Sequence, residues 1–231
     1  MNAPVLELRD VSLAIGGVHI LTDISIAIEQ GSCLGIIGPN GAGKTTLFNI
    51  ASGFMKPTAG EVRLDDQPIT GVAPHKVTRR GLVRTFQNVG GFGELTVREN
   101  LELATRGRDA DAVEKVSELL GLRDDWNVLV KDCSLASRKL VGIGVAVVRR
   151  PRVLLLDEPL AGLATDDRDH VVQMIKRVHA DGTTLALIEH DIARTRALVD
   201  RLVVLDAGEK VADGSPQELA QRSDVMEAYL S

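Results

Sequence analysis

Four short stretches hold side chains that could handle a phosphate ester. They are "GPNGAGKTT" (Gly38 to Thr46), Gln87 in "RTFQNV", "VLLLDEP" (Val153 to Pro159) and "EHD" at 189–191. The first fits the spacing GxxxxGK(S/T), with Gly38, Gly43, Lys44 and Thr45 at the fixed positions. Glycines let the backbone N–H groups of Gly38, Pro39's neighbours Asn40 and Gly41, Ala42 and Gly43 turn in around phosphate oxygens. A helix starting there adds the partial positive charge of its N-terminus. Lys44 is placed to reach the β- and γ-phosphates, the Thr45 hydroxyl to ligate Mg²⁺, and Thr46 and Pro39 to complete the loop that holds the nucleotide.

Asp157 and Glu158 close an apolar run. By itself such a pair marks a strand reaching solvent. Downstream of a phosphate loop, Asp157 is a candidate Mg²⁺ group opposite Thr45, and Glu158 a candidate base for the attacking water. His190 ends another apolar run, and in open α/β sheets the strand ends on one edge converge on the ligand. It is therefore a candidate partner of the γ-phosphate and the water. Gln87, where a strand hands over to a helical stretch, is a candidate metal and γ-phosphate sensor.

The elements that must position these groups are legible in outline. "VLELRDVSLAI" and "ILTDISIAI" alternate as half-buried strands, whereas "CLGII" and "RVLLL" are continuous apolar runs suited to central strands. "GKTTLFNIASG" reads as a helix stopped by Gly53. "EVRLDD", "GLVRTFQ", "TTLALIEH" and "RLVVLD" are further strand candidates. From about Val97 to Gly121 the pattern is helical, with Val113, Val116, Leu119 and Leu120 on one face. Another helix is predicted from near Ser134 to Arg149, apolar on most sides. "DDRDHVVQMIKRVHA" is amphipathic with Val171, Ile175 and Val178 inward. Strands and helices alternate at both ends around a helical insert. The order implies an α/β core with a mostly parallel sheet and a small helical subdomain at 88–150, all within one domain spanning 1–231.

Composition bounds the partners. The 231 residues are 44% apolar and 26% charged with a net charge of −5, enough for a large core but without the basic excess of a nucleic-acid-binding surface. Cys33 and Cys133 have no metal-site spacing and are expected as reduced thiols of a cytosolic chain. The opening "MNAPVLELRD" does not read as a secretory signal. The longest apolar run, Leu140 to Val148, is far short of the roughly 20 residues of a spanning helix. Work at a membrane would need another chain as anchor.

With these motifs in this order the chain resembles the ATP-binding subunits of ABC transporters, over nearly its whole length. "GPNGAGKTTLFNIASGFMKPTAGEV", "GLVRTFQNV", "LTVRENL", "AGL" and the tail "DVMEAYLS" resemble the branch serving branched-chain amino-acid importers. The resemblance implies a P-loop NTPase core with an antiparallel β subdomain, ATP and Mg²⁺ as cofactors, and a place on the cytoplasmic face of the cell membrane, held by permease subunits. It also implies a face-to-face pair of ATP-binding subunits in which each ATP meets an LSGGQ signature from the opposite chain. Counted back from Pro151 without gaps, that signature falls on "CSLAS", Cys133 to Ser137. A two-residue shift would align "LAS" instead, and glycine would still be lacking. Ser134 remains as a candidate γ-phosphate donor, while Leu135 and Ala136 bring Cβ atoms where the family has bare backbone.

Other departures are Ile15 in place of the aromatic residue against adenine, Ala164 in place of the aspartate after the DEP stretch, and Val145 in place of an arginine. The groups serving the chain's own ATP are intact and the group serving a partner's is not. That favours an asymmetric heterodimer over a homodimer, with residues from Val89 to Trp126 docking on the membrane subunit. An ATPase for a different cargo, such as a lipid or glycan exporter, and a soluble ATP-dependent switch are the alternatives.

Overall fold

Strands apolar along their whole length are buried on both faces here, and the period of two sorts their side chains into two cores. In β7 (Val153–Asp157), Val153 and Leu155 enter one core and Leu154 and Leu156 the other. β3 (Cys33–Ile37), β8 (Thr184–Ile188) and β9 (Arg201–Asp206) divide in the same way. This is the burial of a sheet covered on both sides. The structure, a computed structural model, describes residues 4–85 and 91–222. Gln87 and the "DVMEAYLS" tail lie outside the described residues, as do positions 88–90 at the start of the expected helical insert.

In chain order, β1 (Pro4–Ile15) and β2 (Val18–Glu29) form a hairpin, followed by β3, α1 (Lys44–Ala51), β4 (Ala59–Leu64), β5 (Gln67–Pro68), α2 (Pro74–Arg79) and β6 (Leu82–Arg84). Then come α3 (Val97–Thr105), α4 (Ala110–Leu119), α5 (Leu135–Val147), β7, α6 (Thr165–Ala180) and β8. The described chain closes with α7 (Ile192–Arg196), β9, β10 (Glu209–Gly214) and α8 (Pro216–Leu219). One sheet has the order β10-β9-β3-β8-β7-β6 and is parallel except for β10. The other, β2-β1-β4-β5, is antiparallel. One core fills the space between the antiparallel sheet, α1 and one face of the parallel sheet. The other lies between the opposite face and α3 to α6.

Several predicted elements are shorter than their sequence patterns. The strand from Glu61 stops at Leu64 because Asp65 and Asp66 adopt left-handed backbone at φ 48° and 59°. The helical stretch from Val97 divides at Arg106 and Gly107, which also have positive φ. Leu119 is only partly buried, whereas Val113, Val116 and Leu120 are inside. Val171, Ile175 and Val178 face inward as expected. α3 starts at a reciprocal cap: Thr96 Oγ1 accepts from Glu99 N and Glu99 Oε2 accepts from Thr96 N. Buried Asn100 then fastens the preceding loop, accepting from Phe92 N at 2.7 Å and donating to the carbonyls of Phe92, Leu95 and Thr96.

Both cysteines are buried free thiols. Burial pushes the Cys33 thiol far above its ordinary range, and the Asp200 carboxylate adds to the effect. Burial also raises Cys133, whose Sγ donates to Leu129 O at 3.5 Å.

Candidate functional site

The loop from Gly38 to Gly43 joins the exit of β3 to α1. Two of its glycines are required by contact. A Cβ on Gly38, at φ 145°, would lie 2.0 Å from Leu205 O, and one on Gly43, at φ 95°, would lie 2.5 Å from Leu21 Cδ2. The loop is therefore clamped between β9 and β2, while Pro39, Asn40 and Gly41 at its crest are exposed. Lys44 folds back into the loop and donates from Nζ to the carbonyls of Gly38 (2.7 Å) and Pro39 (2.8 Å). Its ammonium thus sits at the loop's centre. Burial lowers its pKa and Glu158 partly opposes the shift. Thr45 is exposed and Thr46 half-buried.

Parallel pairing of β7 with β8 brings the acidic pair beside the histidine. Glu158 N donates to Ile188 O at 3.0 Å, and His190 Nε2 lies 2.9 Å from Glu158 Oε1. Sequence reasoning named both residues, and the structure unites them across 32 positions. Asp157 is almost fully buried at the end of β7, where Arg84 donates to its Oδ2 at 2.6 Å.

Three further charged groups of this site have no role assigned from the sequence, although Glu189 opens the "EHD" stretch. Glu189 is buried and accepts from Leu160 N at 2.7 Å and His190 N at 3.2 Å, so it braces the segment after Glu158 against the end of β8. Desolvation raises its pKa, against the two N–H donors that lower it. Lys139, on α5, donates to Glu158 O at 3.3 Å. Burial lowers its pKa, and Glu189, Glu158 and Asp157 pull it back up. Arg84 is the third. Apart from the adjacent His190 N, the hydrogen-bond partners named here stand well separated in the chain, so no local spacing marks them. The aspartate of "EHD" does a different job: Asp191 caps α7 by accepting from Arg194 N and pairs with that guanidinium at 2.7 Å.

The remaining candidates lie on two other surfaces. Ile15 is 55% exposed at the end of β1, beside Val18, which is exposed at the start of β2 across Gly16 and Gly17. Ser134 is the N-cap of α5: its Oγ accepts from Ser137 N at 3.0 Å and lies 3.0 Å from Ser137 Oγ. Leu135 projects outward, 40% exposed, and leans on Gly162. Ala136 corrects the expectation for the signature stretch, because its methyl is buried in the core and only Leu135 adds bulk at the surface. Between β6 and the helices α3 and α5 runs an apolar groove of about 450 Å³, with Arg84, Phe92, Leu103, Val145, Ala146 and Arg149 among its walls.

A clamped glycine loop opening a helix, with a carboxylate and a histidine paired on the same edge of a parallel sheet, defines a nucleoside triphosphatase of the phosphate-loop kind. The chain belongs to the ABC transporter family, whose model matches residues 21–161, and it is an ATP-binding ATPase of that family. It is similar to the high-affinity branched-chain amino acid transport ATP-binding protein BraF of Pseudomonas aeruginosa, 34% identical over all of this chain and 99% of that protein. Among solved structures it resembles the ADP conformation of MJ1267, an ATP-binding cassette of an ABC transporter, at 28% identity and TM-score 0.89 over 98% of each chain. It also resembles the cassette MJ0796 in a dimeric post-hydrolysis state bound to ADP and Pi, at 25% identity and TM-score 0.78, covering 91% of this chain and 98% of that one. No helix among the described residues is long and apolar enough to cross a membrane.

Proposed function

We propose that this chain hydrolyses Mg-ATP to power import of branched-chain amino acids or related small polar solutes, as one half of an asymmetric pair of ATP-binding subunits. The cargo is inferred from the likeness to BraF, a branched-chain amino acid transport protein matched end to end. Pairing is inferred from the dimeric state of MJ0796. In this reading the loop amides and Lys44 bind the β- and γ-phosphates, and Ile15 with Val18 packs on the adenine. Oxygen donors of the Thr45 and Asp157 type suit Mg²⁺, which prefers hard oxygen ligands and neutralises phosphate charge. Glu158 takes the proton of the attacking water. His190, already 2.9 Å from that carboxylate, orients it and offers its ring to the γ-phosphate. Gln87, which lies outside the described residues, keeps its sequence-based role as γ-phosphate sensor in this reading. The groove, rimmed by exposed Phe92 and Leu103, takes an apolar helix of the membrane subunit, which holds the chain at the cytoplasmic face.

The observation that carries the asymmetry is the contrast between two surfaces. The chain's own site assembles Lys44, Glu158 and His190, whereas the start of α5 offers an N-cap serine already engaged by Ser137 and a protruding Leu135. Losing one preorganised donor to a developing oxyanion costs about 2.7–4 kcal/mol. The ATP facing this α5 is therefore turned over slowly. The experiment is to measure Mg-ATPase for the purified chain alone and mixed with a partner chain bearing an intact LSGGQ. Low activity alone and high activity in the mixture are expected. Comparable activity from the chain alone, or loss of activity on restoring LSGGQ at 133–137, would overturn the asymmetric reading.

A further inference from the structure

Arg84 ends β6 with a side chain only 4% exposed. Its Nη2 donates to Asp157 Oδ2 at 2.6 Å. Its Nη1 donates to Asn49 Oδ1 at 2.7 Å and lies 3.3 Å from Ser52 Oγ. The guanidinium also lies over the Phe48 ring, 5.7 Å from its centroid. Phe48, Asn49 and Ser52 belong to α1 or its C-cap, and α1 begins at the phosphate loop and carries Thr45. One buried cation thus ties the carboxylate at the end of β7 to the helix that presents the hydroxyl. Buried ion pairs are weak contributors to stability, since apolar residues of similar volume serve as well or better. What a guanidinium supplies is orientation, because its donors form a rigid planar fork that an ammonium lacks.

We propose that Arg84 is a positioning residue for the metal-binding step. It fixes the Asp157 carboxylate through Oδ2 and sets the separation between that carboxylate and Thr45. Oδ1, which makes no hydrogen bond among the described residues, is left for the ion. This rests on the reading of Asp157 and Thr45 as the Mg²⁺ groups. Partners that hold a ligating carboxylate typically change metal affinity 10–100-fold when removed.

The test is nucleotide binding rather than turnover. A fluorescent ATP analogue is titrated in EDTA and then across a Mg²⁺ series, for the wild-type chain, Arg84→Lys, Arg84→Met and Asp157→Asn, with the melting temperature of each recorded. The two Arg84 variants are expected to bind the analogue in EDTA within about twofold of wild type, and each Mg²⁺ curve is read relative to that variant's own EDTA affinity. The Mg²⁺ concentration for half-maximal tightening should rise about tenfold or more in Arg84→Met and by a smaller but clear factor in Arg84→Lys. If Arg84→Met does not fold, Arg84→Lys decides, because it keeps the buried charge. A wild-type Mg²⁺ curve in Arg84→Lys, with or without a lowered melting temperature, overturns the proposal and leaves Arg84 a purely structural group. A wild-type curve in Asp157→Asn instead refutes the underlying assignment of Asp157.

Discussion

Glu158 and His190 share one short contact, and Glu158 also has Lys139 against its carbonyl. Because general-base assistance is worth about 10²–10⁴-fold, Glu158→Gln should lower the rate of ATP hydrolysis by that factor, with ATP affinity changed only a few-fold. Lys44→Ala should act on binding instead. It removes charge-assisted hydrogen bonds worth about 1.5–3 kcal/mol, so equilibrium titration with ATP should show roughly 10- to 100-fold weaker affinity. Glu189 supplies a pH signature. Its folded-state pKa is raised above the ordinary 4.5, chiefly by burial, so the folded protein holds this proton more tightly than the unfolded chain. Its contribution is most favourable below about 4.5 and is lost as pH rises from there towards the folded value. Urea unfolding of wild type and Glu189→Gln should show the stability difference moving against wild type over that rise, and a difference independent of pH would refute the effect.

At the scale of elements, the phosphate loop tolerates little change because its neighbours press on it. Gly38→Ala would force a side chain into left-handed backbone beside Leu205 O, a strain of about 1–3 kcal/mol before any clash is relieved. Chemical denaturation should detect that loss. Ser134→Ala should cost about 1 kcal/mol through the lost α5 cap. Central strands and long amphipathic helices were readable from sequence because their periods repeat over many residues: "CLGII", "RVLLL" and the stretch forming α6 lie where the pattern put them. Short elements had no such repeat to show. α7 and α8 start at side-chain caps, α2 at Pro74, and the two-residue β5 only pairs back on the adjacent β4, so none shows a repeating pattern, and β10 is not apparent beside the apolar β9. The site divides in the same way. Lys44, Glu158 and His190 sit in compact motifs, whereas Arg84, Lys139 and Glu189 acquire their meaning only when β6, α5 and β8 are brought together.

For the whole molecule, two cores meet at one mostly parallel sheet, and Arg84 at the end of β6 both lines the helix-bordered groove and pairs with Asp157 of the nucleotide site. A subunit built this way is expected to bind a membrane partner through the groove. Leu103→Glu at its rim should reduce co-purification with the permease in detergent while leaving ATP affinity unchanged. Both native thiols, meanwhile, lie inside, and burial raises the pKa of each, which disfavours the reactive thiolate. The natural chain is consequently a quiet background for maleimide chemistry. A single Leu135→Cys substitution would take a spin label or fluorophore without first deleting Cys33 or Cys133, and the approach of a second subunit to that end of α5 would become a measurable distance.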